Sequence, residues 1–422
     1  MNIVLIKTVL SVALLVLTGI VWWKKNFFLK FFTKKSTPSW LAVGWFLFRL
    51  LPFVTVYLVA SFAPTSDVNG FWDEGSKASM GQVVYRDFWS PYSPLYAYYL
   101  GLWLKFWYDP RMIVFMMTVM DALALWVSWH LYRSRLSALS DADFLFKTLL
   151  YYLLPGSLVL CVVGAQEDVW MWLFVVLAYL LRQRTGRVEV YALTLALGLL
   201  LTKAILVLVF VPLFILEKEK IRFVVTMALV GAVSLAILYP LVGWEFTQPL
   251  DEAKTLRAPN LPSVLNPWFF NQIGVGEKIW NWVGLVLSVG MGTWTAWRWR
   301  NADFATMLSR TWIALYATMM IVQQSAYSNY IFLFLIPLVF FVVDWKDKKQ
   351  VILLLIFNLL CVVHPSYWWR LGMPKYLVPS DIWAAPTFLL DYGMQVAIVA
   401  LAGYFVWLAA FRTHNFFRVA PP

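Results

Sequence analysis

The strongest constraint on this chain is a succession of apolar runs, most of them close to the length that crosses a bilayer. They extend from IVLIKTVLSVALLVLTGIVWW near its start to MQVAIVALAGYFVWLAA near its end. A run of roughly 20 apolar residues spans hydrocarbon as a helix, because the helix satisfies its own backbone groups. The strict alternation of an outer-membrane barrel is absent. The expected fold is therefore all-α, a polytopic transmembrane helix bundle. Composition agrees: 62% of the 422 residues are hydrophobic and 13% charged, about half the charged fraction of a soluble domain. Cut at charges and Pro/Gly clusters, the runs predict about thirteen helices. They fall near 3–23, 40–62, 111–132, 144–163, 168–181, 189–201, 204–216, 223–243, 279–297, 305–323, 329–344, 351–363 and 393–411. Several are shorter than a full span and could be tilted, paired or re-entrant.

Loop charges orient this map. Every second connection is basic: Lys24, Lys25, Lys30, Lys34 and Lys35; Arg133 and Arg135; Arg182, Arg184 and Arg187; Lys218, Lys220 and Arg222; Arg298 and Arg300; Lys346, Lys348 and Lys349; Arg412 and Arg418. These are more than half of the 34 lysines and arginines, so the positive-inside rule makes those connections and the C-terminus cytoplasmic and the N-terminus external. The other connections (63–110, 164–168, around 202, 244–278, 324–328 and 364–392) hold more than half of the 22 acids. The net charge of +12 then reflects orientation, and nucleic acid is not an expected partner. A signal peptide is the alternative for the first run, but Trp22, Trp23, Lys24 and Lys25 supply no small-residue cleavage site. Residues 1–39 read as an extra N-terminal helix with a basic cytoplasmic connection, and 40–422 as one membrane domain with an external loop at 63–110. Cys161 and Cys361 lie inside apolar runs as small hydrophobes. His130, His364 and His414 have no metal-motif spacing.

Chemistry concentrates outside the spans. The segment Phe71–Leu100, FWDEGSKASMGQVVYRDFWSPYSPLYAYYL, places Asp73, Glu74 and Asp87 beside Lys77 and Arg86 immediately after a hydrophobic stretch. Within it, 92–107 is too short and polar for a span and reads as an interfacial helix. Gly164-Ala165-Gln166-Glu167-Asp168 follows a later helix. Lys203 divides two apolar runs whose far ends, Arg187 and Lys218, are both basic, so the turn at Lys203 points to the external side. Tyr327–Pro337 reads YSNYIFLFLIP.

These motifs, in this order, resemble the GT-C glycosyltransferases: the acidic pair, then Gly81–Phe88 and Ser93-Pro94-Leu95 as a first external loop, Gly164–Asp168 as a second acidic motif, Lys203 at a helical hairpin, and Tyr327–Pro337 as a late helix. The resemblance covers residues from about 40 to 345, and residues 1–35 depart from it. It implies an inverting enzyme that transfers a hexose, mannose-like, from a polyprenyl- or dolichyl-phosphate carrier to a lipid, saccharide or protein acceptor. It also implies that the first loop supplies the catalytic acid. The membrane would be the prokaryotic cytoplasmic membrane, acting at its outer face, or that of the endoplasmic reticulum, acting in the lumen.

The chemistry asks for the same groups. Attack of an acceptor hydroxyl on an anomeric carbon needs a carboxylate to take the proton. Asp73 is the leading candidate, with Glu74 and Asp87 beside it; alternatively Asp73 caps a helix starting at Glu74, with Lys77 on the same face. Asp87 could orient the acceptor, bind a divalent ion with Glu167 or Asp168, or simply pair with Arg86; nothing in the sequence requires a metal. Glu167 and Asp168 could bind substrate or favour the N-terminus of the following helix. The leaving phosphate needs a cation. Lys203 is the sharpest candidate, against a lysine snorkelling from one continuous helix; Arg257 and Arg370 follow, with Lys77 and Arg86 as further substrate contacts. Arg49, Asp121 and Arg310 lie inside helices and are functional leads. They suit the rival reading, a transporter or flippase of a lipid-linked saccharide; a structural membrane subunit is a third.

Overall fold

Where the sequence is apolar the chain is helical, and the described residues contain no strand, only a bridge between Val84 and Phe88. The computed structural model describes residues 3–135, 140–269 and 277–412; His414 and Arg418 lie outside them. The main helices are α1 (Ile3–Trp23), α2 (Thr37–Val59), α3 (Val68–Ser79), α4 (Tyr96–Leu104), α5 (Pro110–Arg133), α6 (Asp141–Leu153), α7 (Pro155–Val163) and α8 (Val169–Thr185). There follow α9 (Val188–Leu201), α10 (Ala204–Leu216), α11 (Lys220–Val242), α12 (Glu277–Arg298), α13 (Phe304–Val322), α14 (Ser328–Val342), α15 (Lys348–Arg370) and α16 (Pro386–Ala410). Among the described residues seven helices are long and apolar enough to cross a membrane: α1, α2, α5, α11, α13, α15 and α16. The pair α6–α7 makes an eighth if counted as one span. Of the thirteen expected helices, α8, α9, α10 and α14 are shorter than a full span, and α12, although 22 residues long, is not apolar enough to count as one.

One expected helix, 144–163, is not continuous: α6 and α7 are bent by 72°. Pro155 has no N–H to donate back to Tyr151, and it holds Leu154 extended at ψ 133°. The chain is a polytopic helical bundle with α13 at its centre, packed against α12 and α16 and 94% buried in its apolar window. At the other extreme α11 is only 6% buried, leaning on α9 and exposing Val225, Leu229, Val233 and Ile237. A helix apolar on every side and packed on only one belongs in lipid.

The connections sort into two ends. At one, Trp22 Nε1 donates to the Trp345 carbonyl (2.9 Å), Arg412 pairs with Asp347 (3.1 Å), and Arg182 at the foot of α8 makes a two-pronged ion pair with Glu217. At the other, the backbone N–H groups of Ser93 and Leu95 donate to the carbonyls of Thr202 and Leu200, and Arg257 N–H to that of Gln324. The loops gathered at the first end carry most of the basic connections. The intramembrane charges are internal fasteners. Arg49 Nε meets Asp121 at 2.9 Å, both wholly buried, with Ser157 and Tyr151 completing the network across α2, α5, α6 and α7. Arg310 Nη1 donates to the carbonyls of Leu408 and Ala409, closing the last turn of α16.

Candidate functional site

The second end gathers polar groups that the bundle buries. The chain cannot continue α9 past Leu201: Thr202 turns its hydroxyl back to the Gly198 carbonyl (2.7 Å) and Lys203 is extended. Because α10 returns to Glu217, which meets Arg182 again, residues 188–216 form a hairpin along α8 with Lys203 at its tip. There the ammonium lies 2.6 Å from both Glu167 and Asp168, over the rings of Tyr92 (5.6 Å) and Tyr330 (5.4 Å). Asp168 stands at the N-cap of α8, yet its carboxylate goes to Lys203 and not to the helix amides. The loop carrying these acids holds Ala165 at φ +49°, a conformation that costs a non-glycine residue energy and is commonest where a site demands it.

Around the triad Gln166 is the organiser. Its Nε2 donates to Asp67, and its Oε1 accepts from Asn329 Nδ2 at 2.6 Å. The charge of Asp67 also reaches Lys7 of α1, which brings the N-terminal helix to this end. Several buried polar atoms here, Glu167 Oε2, Asp168 Oδ2, Asn329 Oδ1, Tyr96 Oη and Trp170 Nε1, have no hydrogen-bond partner among the described residues. Buried polar groups are normally satisfied, so such a concentration suits a polar ligand.

The first loop supplies the next acid. In α3, Asp73 and Glu74 point apart. Asp73 is 61% exposed and pairs with Lys77 at 2.6 Å; as α3 starts at Val68, it lies inside the helix and does not cap one. Glu74 is buried and accepts from Ser90 Oγ at 2.7 Å. Burial pushes its carboxyl up to about 8; Ser90 opposes this, and the neighbouring Glu167 and Asp73 charges add to it. Asp87 behaves oppositely: exposed and gripped side-on by Arg86 (2.9 and 3.0 Å), with the Val83 amide also donating, it falls to about 2. Helix α4, expected in 92–107, packs its Tyr96, Ala97, Leu100 and Leu104 face inward.

Of the sequence candidates, the fold thus brings Glu167, Asp168 and Lys203 into one cluster, with the Glu167 charge reaching Glu74. Asp73 with Lys77, and Asp87 with Arg86, form separate exposed pairs. Arg257 lies over the Tyr327 ring at 4.4 Å, and Tyr330, beneath Lys203, also feels its charge. Arg370 ends α15 on an exposed turn. No group of three metal-binding side chains occurs among the described residues, and Glu167 and Asp168 are engaged by Lys203. Sequence reasoning missed Asp67, Ser90, Gln166, Asn329, Tyr92 and Tyr330 as site residues. All but Asp67 stood inside the quoted segments, Ser90 and Tyr92 in Phe71–Leu100, Gln166 in Gly164–Asp168, Asn329 and Tyr330 in Tyr327–Pro337, but only the fold could pair Ser90 with Glu74. No protein-family model matches this chain, and no curated protein sequence matches it.

Proposed function

We propose that this protein is a membrane glycosyltransferase of the GT-C type, transferring a hexose from a polyprenyl-phosphate carrier at the face that holds the Lys203 cluster. The observation that carries the reading is the placement, at one end of a lipid-embedded bundle, of a buried acid that burial pushes up to about 8, within reach of the charge of Glu167, which with Asp168 holds a lysine. The acceptor oxygen bonds to the anomeric carbon as the bond from that carbon to the phosphate oxygen breaks. The acceptor proton passes to a carboxylate, and the phosphate leaves with the electron pair.

Glu74 suits the base better than Asp73. A general base works best with a pKa near the working pH, and Glu74 is sequestered where Asp73 is solvated and paired. Lys203 has three N–H donors; two carboxylates hold it in place and the third donor serves a phosphate oxygen. Arg257 is the next cation toward that phosphate, and with Lys203 it balances the charges of Glu167 and Asp168, all four acting on Tyr330. By the positive-inside rule the basic end is cytoplasmic, so transfer occurs on the outer or lumenal face. The carrier's isoprenoid chain would lie against the exposed apolar helices. The transporter reading gains no support from the intramembrane charges, because Arg49 and Asp121 satisfy one another.

The test is reconstitution of the purified chain with radiolabelled polyprenyl-phosphate mannose and other hexose donors, together with candidate acceptors. Formation of a glycosidic product with release of polyprenyl phosphate in equal amounts is expected. Movement of intact donor across the bilayer without product would overturn the enzyme in favour of a flippase.

A further inference from the structure

Apart from the Lys203 cluster, the same end of the bundle carries an open cleft of ≈ 580 Å³ between the first loop and the top of α11. One wall is Tyr85-Arg86-Asp87-Phe88-Trp89 and the other is Leu241, Val242, Glu245 and Gln248. Gln248 ties the walls together: its Nε2 donates to the Tyr85 carbonyl (3.0 Å) and to Glu245 (3.0 Å), while its Oε1 accepts from the Ser90 amide (3.4 Å). The first loop is bent to make this wall, with Tyr85 at φ +70°. Tyr85 and Phe88 are buried and form the floor, whereas the Trp89 indole stands 49% exposed.

The rim chemistry restricts the ligand. Arg86, Asp87 and Glu245 sum to one negative charge, which disfavours a phosphate or another anion. The remaining Arg86 donors and the acceptors of Asp87, Glu245 and Gln248 Oε1, whose second lone pair is unused, stand together beside one flat aromatic face. Hydroxyls both donate and accept, so a polyhydroxylated ring with one C–H-rich face matches this lining. The volume accommodates such rings, given that small-ligand clefts run from roughly 300 to 1,000 Å³. The cleft also communicates with the proposed base: Gln248 holds Ser90 by its amide, and the Ser90 hydroxyl donates to Glu74.

We infer that this cleft binds a neutral saccharide, with Trp89 as its stacking face and Glu245 and Gln248 as its hydroxyl partners. The description of that saccharide as the acceptor rests on the proposed glycosyltransferase function; the binding itself does not. It is measured without donor, by saturation-transfer NMR on the full chain in detergent. Methyl α-mannoside and methyl α-glucoside serve as probes, with inositol 1-phosphate and choline as charged controls. A hexoside signal is expected to weaken by about tenfold in Kd for Trp89→Ala. For Glu245→Gln, which keeps the shape of the side chain, the loss should be about threefold. Trp89→Phe should retain most of the binding, and Trp23→Ala, on the exposed basic end, all of it. Unchanged hexoside affinity in both Trp89→Ala and Glu245→Gln, or tighter binding of either charged control, would overturn the site. If the chain binds hexosides here but transfers none, the saccharide site stands and the enzyme reading fails. If it transfers with acceptor KM unchanged in Trp89→Ala, the enzyme stands and this site fails.

Discussion

At the scale of single residues, adjacent acids in α3 meet opposite environments, and function follows from which one is buried. Glu74→Gln keeps the shape and the contact with Ser90 but cannot take a proton, so turnover should fall on the order of 10²–10⁴-fold. Asp73→Asn removes an exposed ion pair and should leave most activity. The reverse ranking in a transfer assay would return the base to Asp73. With the carboxyl at about 8, the wild-type rate should climb with pH up to that value and then level. The stability effect has the opposite sense. Below the ordinary carboxyl range both folded and unfolded chains hold the proton; between about 4.5 and 8 only the folded chain keeps it. Stability contributed by protonated Glu74 is therefore present at low pH and lost as pH rises through about 8. Melting temperatures of wild type and Glu74→Gln should converge on acidification and separate in alkali, the variant being the more stable. Lys203→Met should leave two buried carboxylates without their cation, weakening donor use more than acceptor use, with partial rescue by Arg. The acidic pair and Lys203 were legible in the sequence because they interrupt apolar runs. Which acid is buried was not, because burial of Glu74 depends on Ser90 from a distant turn.

Among elements, the first loop is held by a close helix crossing that its composition concealed. A methyl placed on Gly101 of α4 would meet the Gly75 carbonyl and the Ser79 amide of α3 at 3.0 Å each, and one on Gly75 would meet Leu100 Cβ at 2.9 Å. These obstacles are backbone or rigid stem, so they cannot swing aside. Gly101→Ala should separate α3 from α4 and destabilise the loop by about 1–3 kcal/mol, read as earlier hydrogen exchange in 68–104 than in α13. Exchange identical to wild type would mean the crossing is not tight. At the foot of the hairpin, Glu217 is almost wholly buried against Arg182. Arg182→Ala should cost about 3–5 kcal/mol by stranding that carboxylate, and Arg182→Ala/Glu217→Ala should recover part of the melting temperature. The hairpin itself was legible from charge parity, because two basic ends separated by two short runs require a turn between them. The bend at Pro155 was hidden inside a run that apolar composition made look continuous.

For the whole molecule, the question is whether the two ends face opposite compartments, since the proposed lipid-phosphate donor would be used at one face only. The helix count from length alone leaves this open: α9, α10 and α14 are shorter than a full span, and the α9–α10 hairpin returns to the end it left. What the sequence carried was the segregation of charge between connections, and the fold preserves it by tying Ser93 and Leu95 to 200–202 at one end and Trp22 to Trp345 at the other. The test uses single cysteines with a membrane-impermeant maleimide, and it is clean because native Cys161 and Cys361 are buried and unpaired. Cysteines replacing Lys77 and Asp251 should react in intact cells or sealed, correctly oriented vesicles. Those replacing Lys34 and Lys348, exposed at the basic end, should react only after permeabilisation. The opposite pattern would put the Lys203 cluster in the cytoplasm and remove the external or lumenal donor from the mechanism. Equal labelling of all four sites from one side would mean that the apolar helices do not carry the chain across the bilayer, and the exposed surface of α11 would then have to be covered by protein instead of lipid.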